Sequence, residues 1–506
     1  MSDLELADVM SIRPLTVAPP TSLADAAGAM RELDVGAAVV VDRGRVVGIV
    51  TERDLARATA VGAAPTDAPV ERWMSRAPLT MPPGADVLEA LEAMLARGFR
   101  HIPVVDGGRL VGLVSLRRLV AAARLRKVDP WSPGTAKGLE NVTVAETALS
   151  HIDGEAGRLV FRGYDAVELA RGRSFEDVWH LLYTGELPAD GAFARRTAAL
   201  RAAPLDRATL AALAARSDGF MATVQAAIAA TGAAWGVRPW HERDPREAEA
   251  WAVRATSVVP TLVAALWRLR QGLEPIEPDP ALGHAANYLW MLEGRRPAAD
   301  RTLAVERYLV LTAEHGMNAS TFTARVIAST GADVVSAVVG AAGALSGPLH
   351  GGAPSLVLDM LDEIGTADRA AGWIADAVAH GRRLMGFGHR VYRAEDPRAA
   401  CLRDTAESLG GARIALALAV EREALVRLRA AKPERALFTN VEFYSAVVLE
   451  RAGVPRPLFT PTFCVSRTVG WTAHVLEQLR GNRLIRPSAE YVGPRGRTLA
   501  AVRAVG

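Results

Sequence analysis

The N-terminal quarter of the chain contains a gapless internal repeat, which constrains the fold more than any other feature. The segment MSIRPLTVAPP, which begins at Met10, is echoed by MSRAPLTMPPG, which begins at Met74, an offset of 64 residues. The register persists to GRVVGIV at 44–50 and its counterpart GRLVGLV at 108–114. A repeat with a constant offset indicates two copies of one structural unit.

Each copy combines strand and helix signals. It begins with a Pro- and Thr-containing turn, followed by an Ala/Leu/Met-rich helical stretch and a Val-rich strand. A glycine turn, a second strand and a charged helix complete the copy. One such unit is too small to bury both faces of its sheet. We therefore expect the copies, at about 8–62 and 72–126, to pack around a pseudo-twofold axis with a ligand cleft between them.

Over about residues 8–125, the tandem resembles a cystathionine-β-synthase-type (CBS) domain pair, a family that binds adenine nucleotides and regulates attached enzymes. In that family a hydroxyl residue followed three positions later by Asp holds the ribose and phosphates. The resemblance therefore implies a regulatory nucleotide site at Thr51 and Asp54, in TERD. The second copy has Ser115 and Arg118 instead, which favours at most one site. Alternatively, Asp54 only caps the helix that opens at TERDLARA.

The rest of the chain is predicted to be a separate, helical region. DPWSPGTAK at 129–137 is rich in Pro, Gly and Ser, as linkers are, and separates a regulatory module at 1–128 from residues 138–506. The latter region has helical spacing in LVLTAEHGMNASTFTARVIAST and WIADAVAHGRRLM, with short strands near GRLVFRGYD. The predicted fold class is mainly α, preceded by a small α/β tandem.

Composition narrows the class of protein. The 506 residues suffice for two or three domains, and 50% hydrophobic with 23% charged residues is typical of soluble globular proteins. The net charge of +3 is spread along the chain, which argues against a nucleic-acid-binding surface. The weakly polar stretch 334–349 is too short to span a bilayer, and MSDLELADVM lacks the features of a secretory signal. We expect a cytoplasmic protein that binds neither nucleic acid nor membrane.

Three histidines occupy polar or glycine-rich segments: His315 in EHGMNAST, His350 in SGPLHGGAP and His389 in LMGFGHRVYRAEDPRA. Their separations of 35 and 39 residues are too wide for a helical metal motif. The two cysteines, Cys401 and Cys464, are too few for a disulfide framework or a four-ligand zinc site and are predicted to be buried packing residues. No metal site or permanently bound cofactor is therefore expected.

The setting of His350 suits an electrophilic catalyst. It directly precedes a predicted helix in which Val357, Met360 and Leu361 have helical spacing. The positive end of a helix dipole disfavours an imidazolium, so this ring should be neutral. A neutral imidazole can donate a hydrogen bond to a carbonyl oxygen that gains enolate character.

Further residues in these segments suggest a dianionic substrate. Gly386 and Gly388 allow a ligand to approach the backbone just before His389. One candidate base and three guanidiniums suited to carboxylate binding follow: Glu442 in NVEFYS, Arg398, Arg467 in SRTVGW and Arg486 in RLIRPSAEY. Singly, each has a structural alternative, such as a cap, a surface arginine or a salt bridge. Taken together, these residues favour a site that binds a dianionic substrate.

From GLENVTVAETALSHIDGEAGRLVFRGYD near Gly138 to AEYVGP near Pro494, these strings resemble the citrate synthase family, with the motifs in family order. The resemblance implies an almost wholly helical fold, in which a smaller domain at about 352–452 closes over the substrates. It implies an acyltransferase of the tricarboxylic acid cycle that condenses oxaloacetate with acetyl-CoA and water to give citrate and CoA. The adenine nucleotide would then be an allosteric effector.

Carried over by position, the resemblance implies a role for each side chain. His350 would hydrogen-bond the thioester carbonyl while Glu442 removes the α-proton, and His389 would protonate the new alkoxide. Oxaloacetate would be bound by His315, His389, Arg398, Arg467 and, from the neighbouring subunit of a homodimer, Arg486. The CoA-binding loop would comprise Leu384, Met385, Gly386, Phe387 and Gly388, with Arg382, Arg383, Arg390 and Arg393 available for its phosphates.

Two positions depart from the family pattern. The usual base is aspartate, in NVDFYS, whereas Glu442 has an extra methylene that displaces the carboxylate by about 1 Å. Gly316 stands where many relatives carry an acid. Two alternatives stay open: a 2-methylcitrate synthase, which uses propionyl-CoA, and a catalytically weak nucleotide-sensing protein with a synthase fold.

Overall fold

The computed structural model describes residues 5–33, 35–60, 64–116, 118–119, 139, 142–202, 206–215, 219–240, 245–351, 353–389, 391–433, 435 and 437–489. The chain forms two compact units: Met1–Val144 with Ser488–Gly506, and Ala145–Pro487. The predicted linker at 129–137 lies outside the described residues. The predicted smaller domain at 352–452 belongs to the second unit, and its closure stays a prediction.

The first unit consists of paired strands and short helices, as the repeat predicts. Its elements are α1 (Leu6–Val9), β1 (Thr16–Val17), α2 (Leu23–Glu32), β2 (Ala37–Asp42), β3 (Arg45–Thr51), α3 (Glu52–Ala60), β4 (Ser75–Arg76), α4 (Val87–Arg97), β5 (His101–Asp106) and β6 (Arg109–Ser115). β2 pairs antiparallel with β3, and β5 with β6. Both pairs have a register shift at the equivalent position, after Val40 and after Val104.

The two copies exchange their first segments. Ser75 in β4, at the start of the second copy, pairs with Ile49 in β3 of the first copy. Ser11, at the start of the first copy, bridges to Leu113 in β6 of the second. Both pairings obey the 64-residue offset, so the copies are related by the pseudo-twofold symmetry that the sequence predicts.

Two glycines make room for this exchange. Met74 packs against Gly48, and the equivalent Met10 packs against Gly112. A Cβ atom on either glycine would collide with the methionine sulfur. The absence of a side chain is therefore what allows each copy to receive the other's methionine.

The second unit is mainly helical and begins with a three-stranded antiparallel sheet near GRLVFRGYD, as predicted. The strands are β7 (Ser150–Asp153), β8 (Arg158–Phe161) and β9 (Tyr164–Asp165). The helices are α5 (Ala166–Gly172), α6 (Phe175–Thr184), α7 (Ala192–Ala199), α8 (Arg207–Ala214), α9 (Phe220–Trp235), α10 (Pro245–Arg270), α11 (His284–Glu293), α12 (Ala299–Thr312), α13 (Ala319–Ser329), α14 (Val334–Leu345), α15 (Ala353–Ile364), α16 (Ala370–Ala379), α17 (Pro397–Leu409), α18 (Ala412–Ala431), α19 (Val441–Arg451) and α20 (Phe459–Arg480).

α10 and α20 pack together in the core of this unit. Among the described helices, α10 is the one long and apolar enough to cross a membrane, a helix that the sequence analysis overlooked. However, 78% of its most apolar window is buried inside the fold, as is typical of a core helix. Cys401 and Cys464 are both buried, as predicted.

The segment LVLTAEHGMNASTFTARVIAST is not one continuous helix but is divided between α12 and α13. Gly316 adopts a positive φ of 60°, which interrupts helical geometry. The Asn318 side chain then caps α13 by accepting a hydrogen bond from the N–H of Thr321 at 3.0 Å. The break places His315 in a loop rather than on a helix face. α16 likewise ends within WIADAVAHGRRLM.

Candidate active site

Two of the three predicted histidines form a cluster with Tyr392. The ring centroids of His315 and His389 are 5.6 Å apart, and that of Tyr392 is 4.8 Å from His389. His315 Nε2 lies 3.2 Å from the Tyr392 hydroxyl. The backbone N–H groups of Val391 and Tyr392 donate to His389 Nδ1 at 2.9 and 3.1 Å. When His389 is neutral, its proton is therefore on Nε2.

The third histidine, His350, lies directly before α15, as predicted. Its Nε2 is 2.8 Å from Ser320 Oγ, which also accepts a hydrogen bond from Trp471 Nε1 at 3.0 Å. The Ser320 hydroxyl donates to Asn318 Oδ1 at 2.8 Å, an oxygen that also accepts the N–H of Thr321. Ser320 thus holds the imidazole of His350 in place through Nε2.

All three rings are neutral at physiological pH. Burial, followed by the charges of Arg398 and Arg467, holds the pKa of His315 well below its usual 6.5. Burial and then Arg467 lower the pKa of His350 to about 4, and burial and then Arg398 lower that of His389 to about 4. Burial is thus the largest cause of the neutral state predicted for His350.

Two buried arginines accompany the histidines. Arg398, 3% exposed at the start of α17, donates from Nε and Nη2 to the Asp396 carboxylate at 3.0 and 2.9 Å. Asp396 also accepts the N–H of Val441 at 3.1 Å, which ties α17 to α19. Arg467, 2% exposed in α20, donates from Nε to the carbonyl of Thr312 at 2.7 Å. The structure therefore brings both predicted arginines to the site.

The predicted base, Glu442, lies in the first turn of α19. Asn440 caps this helix through Oδ1, which accepts the N–H of Glu442 at 3.1 Å, and its Nδ2 donates to the carbonyl of Gly388 at 2.9 Å. Burial raises the pKa of Glu442 to about 7, although Arg398 and Arg467 oppose the shift. A carboxylate with such a pKa is matched to proton transfer at neutral pH.

The loop predicted to bind CoA, 384–388, is bridged to the segment before α19. The N–H of Gly388 donates to the carbonyl of Phe438 at 2.8 Å, and the N–H of Asn440 donates to that of Gly386 at 2.9 Å. Gly386 has a φ of +86°, and a Cβ there would collide with α19. This bridge joins the backbone that carries His389 to the backbone that carries Glu442.

The other arginines predicted to bind a ligand lie, where they are described, at the surface. Arg382 forms salt bridges with acidic side chains of α15 and α16. Arg383 and Arg393 are exposed, and Arg390 lies outside the described residues. Arg486 is exposed in its own chain. Its role across a dimer, like CoA binding by 384–388, stays a prediction.

A buried polar network that the sequence analysis did not anticipate lies beneath the site. Glu314 and His474 are both fully buried, and Glu314 Oε1 is 3.0 Å from His474 Nε2. Arg325 Nη1 donates to His474 Nδ1 at 3.0 Å and to Glu477 at 2.7 Å. Burial alone would raise the pKa of Glu314, but His474 and then Arg467 outweigh it and hold that pKa below its usual value. Glu314 thus supplies a counter-charge to Arg467.

The nucleotide residues predicted in the first unit bind each other. Thr51 donates to Asp54 Oδ2 through its N–H at 2.9 Å and its hydroxyl at 2.8 Å, and Arg57 forms a salt bridge with Oδ1 at 2.9 Å. Asp54 therefore makes hydrogen bonds of a helix cap, as in the alternative interpretation of TERDLARA. Nucleotide binding by Asp54 stays a prediction. In the second copy, the N–H of Arg118 is 3.4 Å from Ser115 Oγ.

The second unit therefore contains a site for acid–base chemistry on an anionic substrate. The charge of Arg467 acts on His315, His350 and Glu442, which makes it the common neighbour of these groups. Neutral imidazoles, buried guanidiniums and a carboxyl with a raised pKa can bind a carboxylate and deprotonate a weak carbon acid. The fold and site define a helical enzyme that carries out acid–base chemistry on an anionic substrate.

Comparison with known proteins identifies the family. Residues 138–488 match the family model described as citrate synthase, C-terminal domain, and residues 6–60 and 70–124 each match the CBS domain. The first match spans more than half of the chain. The chain belongs to the citrate synthase family, and it is a citrate-synthase-type transferase with a CBS domain pair at its N-terminus.

Similar proteins support this assignment. The citrate synthase of Haloferax volcanii is 43% identical over 370 residues, which cover 71% of this chain and 95% of that protein. The 2-methylcitrate synthase of Mycobacterium tuberculosis is 40% identical over 404 residues, which cover 77% and 99%. The predicted family is thus confirmed, whereas the two names leave the acyl donor undecided.

Solved structures confirm the predicted helical fold. Citrate synthase from Thermotoga maritima aligns with a TM-score of 0.63 and 36% identity, covering 73% of this chain and 99% of that one. Citrate synthase from Thermoplasma acidophilum, in a ternary complex with carboxymethyl coenzyme A and oxaloacetate, aligns with a TM-score of 0.66 and 29% identity, covering 72% and 99%.

Proposed function

We propose that this protein condenses oxaloacetate with acetyl-CoA and water to give citrate and CoA. The observation that carries the proposal is the convergence of neutral His315, neutral His350 and the ionisable Glu442 around Arg467. A dianionic keto acid requires cationic partners, and a thioester α-proton requires both a base and a stabilised carbonyl oxygen. This site supplies all of these groups.

Oxaloacetate binds first to the arginines in this proposal. The Arg398 guanidinium is held by Asp396, so its position is fixed before the ligand arrives. Within the described residues, Arg467 is hydrogen-bonded only through Nε, to Thr312, which leaves its two Nη groups for a bidentate carboxylate. His315 completes the binding set.

Acetyl-CoA is then activated between Glu442 and His350. Glu442 removes the α-proton while His350 hydrogen-bonds the thioester oxygen, so the negative charge of the enolate is stabilised as it forms. The α-carbon attacks the ketone carbon of oxaloacetate, and His389 gives its Nε2 proton to the new alkoxide. Water then hydrolyses the thioester and releases CoA.

Propionyl-CoA is the second candidate donor, with 2-methylcitrate as the product. The 40% identity to a protein named 2-methylcitrate synthase over nearly its whole length favours testing it. A single methylene changes selectivity by only about 1–3 kcal/mol, so both thioesters can be substrates of one pocket. The ratio of the two kcat/KM values decides which name applies.

We further propose that the enzyme is a cytoplasmic homodimer whose rate responds to an adenine nucleotide at Thr51 and Asp54. Ribose hydroxyls are suitable partners for the Asp54 carboxylate, which now accepts two hydrogen bonds from Thr51. Binding would exchange the Thr51 hydroxyl for a ribose hydroxyl on the same oxygen. Size-exclusion chromatography with light scattering tests the dimer.

The function is tested by following CoA release with a thiol reagent. Oxaloacetate is mixed with acetyl-CoA or propionyl-CoA, with and without AMP, ADP or ATP. Turnover that requires oxaloacetate establishes the synthase and ranks its acyl donors. The absence of turnover under every condition, in protein that binds oxaloacetate, would instead support the catalytically weak sensor.

A further inference from the structure

Tyr392 contacts both histidines of the cluster but takes no part in the chemical steps proposed above. It is 1% exposed. Its hydroxyl lies 3.2 Å from His315 Nε2, its backbone N–H is 3.1 Å from His389 Nδ1, and its ring lies 5.7 Å from the Arg398 guanidinium carbon. One residue therefore reaches three members of the predicted oxaloacetate site.

The two contacts to histidine differ in which ring nitrogen they occupy. A backbone N–H can only donate, so His389 Nδ1 must be the unprotonated nitrogen. A tyrosine hydroxyl can donate or accept, but within the described residues His315 Nε2 is its one hydrogen-bond partner. If the hydroxyl accepted from His315, its own buried proton would lack an acceptor, which is unfavourable. The hydroxyl therefore donates, and His315 Nε2 is unprotonated.

We propose that Tyr392 is a positioning residue that sets opposite tautomers on the two histidines. Its hydroxyl directs the proton of His315 to Nδ1, and its backbone N–H directs the proton of His389 to Nε2. Both free N–H groups are then available to the same ligand. The inference deepens the proposed function, because these donors are the ones that would meet a carboxylate and a developing alkoxide of oxaloacetate.

The alternative tautomer of His315 shows why the direction of its hydrogen bond with Tyr392 matters. With the proton on Nε2, the lone pair of Nδ1 would be left to face an anionic ligand beside Arg398 and Arg467. A hydrogen bond to the ligand would be replaced by repulsion between an acceptor and a carboxylate. The same reversal is not available to His389, because two backbone donors occupy its Nδ1.

Tyr392→Phe removes only the hydroxyl and keeps the backbone N–H and the ring. We expect the KM for oxaloacetate to rise about tenfold, equivalent to ~1.4 kcal/mol, while kcat changes by less than about threefold, because His389 keeps its tautomer. Tyr288→Phe is the matched control, since it removes another buried hydroxyl, which lies 2.8 Å from Thr462. The control should leave the KM for oxaloacetate unchanged. An unchanged KM in Tyr392→Phe, or an equal rise in both variants, would contradict the proposal.

The ring ¹⁵N signals of enzyme labelled in its histidines test the tautomers without reference to turnover. In the free wild-type enzyme, His315 should show a protonated Nδ1 and His389 a protonated Nε2, with His315→Asn and His389→Asn used to assign the signals. Tyr392→Phe should alter the His315 pattern and spare that of His389. Identical tautomers on both rings in the wild type would overturn the inference. An enzyme with the expected signals but no synthase activity would refute the proposed function and leave this inference standing.

Discussion

Replacing Glu442 with glutamine should abolish turnover and, above pH 7, stabilise the protein. Burial raises the pKa of this carboxyl from the usual 4.5 to about 7. Between those values the unfolded chain has lost the proton that the folded protein still holds. The free energy of unfolding therefore falls by about 1.4 kcal/mol per pH unit across this window and is flat above it. Glutamine has no such titration.

The size of the effect follows from the width of the window. The full shift from 4.5 to about 7 sets an upper limit of about 3 kcal/mol. Because the side chain is only half-buried, we expect about 1–2 kcal/mol. In a unit of this length such a gain corresponds to a rise in Tm of about 1–3 °C.

Thermal unfolding at pH 5 and pH 8 measures this gain. Wild type and Glu442→Gln should unfold at similar temperatures at pH 5, whereas the variant should be more stable at pH 8, with kcat lowered about 10²- to 10⁴-fold. Glu168→Gln, at an exposed glutamate of α5, is the control and should change neither quantity. A variant that is less stable at pH 8, a difference that is independent of pH, or retained turnover would refute the reasoning.

Four further outcomes are expected. The kcat/KM for acetyl-CoA should rise about tenfold per pH unit below pH 7 and level off above it, because Glu442 must be ionised; a flat profile from pH 5 to 8 would assign the base elsewhere. Ser320→Ala should lower kcat about tenfold and the KM for oxaloacetate little, since it releases His350; equal effects on both would indicate general disruption. Glu314→Gln should lower Tm by several degrees, because Arg467 loses its buried counter-charge, and oxaloacetate should raise the Tm of this variant more than that of wild type. Asp54→Asn should weaken adenine nucleotide binding at least tenfold in calorimetry, whereas Asp25→Asn, which alters the similar cap of α2, should not.

The features that the sequence predicted are those determined by local pattern. The repeat offset predicted the strand pairings of the first unit, and the helical spacing after His350 predicted α15. Motif order also predicted His315, His389 and Glu442 as site residues, and the structure places His315 and His389 side by side. Local pattern misjudged the segment around Gly316, because a single positive φ and a cap at Asn318 are enough to divide a run with helical spacing.

The partners of the site residues could not be predicted in the same way. Tyr392 lies 77 positions from His315, and Ser320 lies 151 positions from Trp471. Such pairings depend on how the helices pack, and periodicity carries no information about them. The sequence also contained no signal that Glu314, the residue before a predicted ligand-binding histidine, would be fully buried.

The glutamate at position 442 is best understood from what surrounds its backbone. Asn440 accepts the N–H of Glu442, and Asp396 accepts the N–H of Val441, so the first turn of α19 is fixed at two successive residues. From this fixed turn the extra methylene of glutamate places the carboxylate further from the backbone than aspartate would, and the charges of Arg398 and Arg467 act on it. There, burial outweighs the attraction of Arg398 and Arg467 and leaves a carboxyl with a pKa of about 7, a stronger base than an unperturbed carboxylate. The departure from aspartate thus combines an altered position with a basicity suited to removing an α-proton at neutral pH.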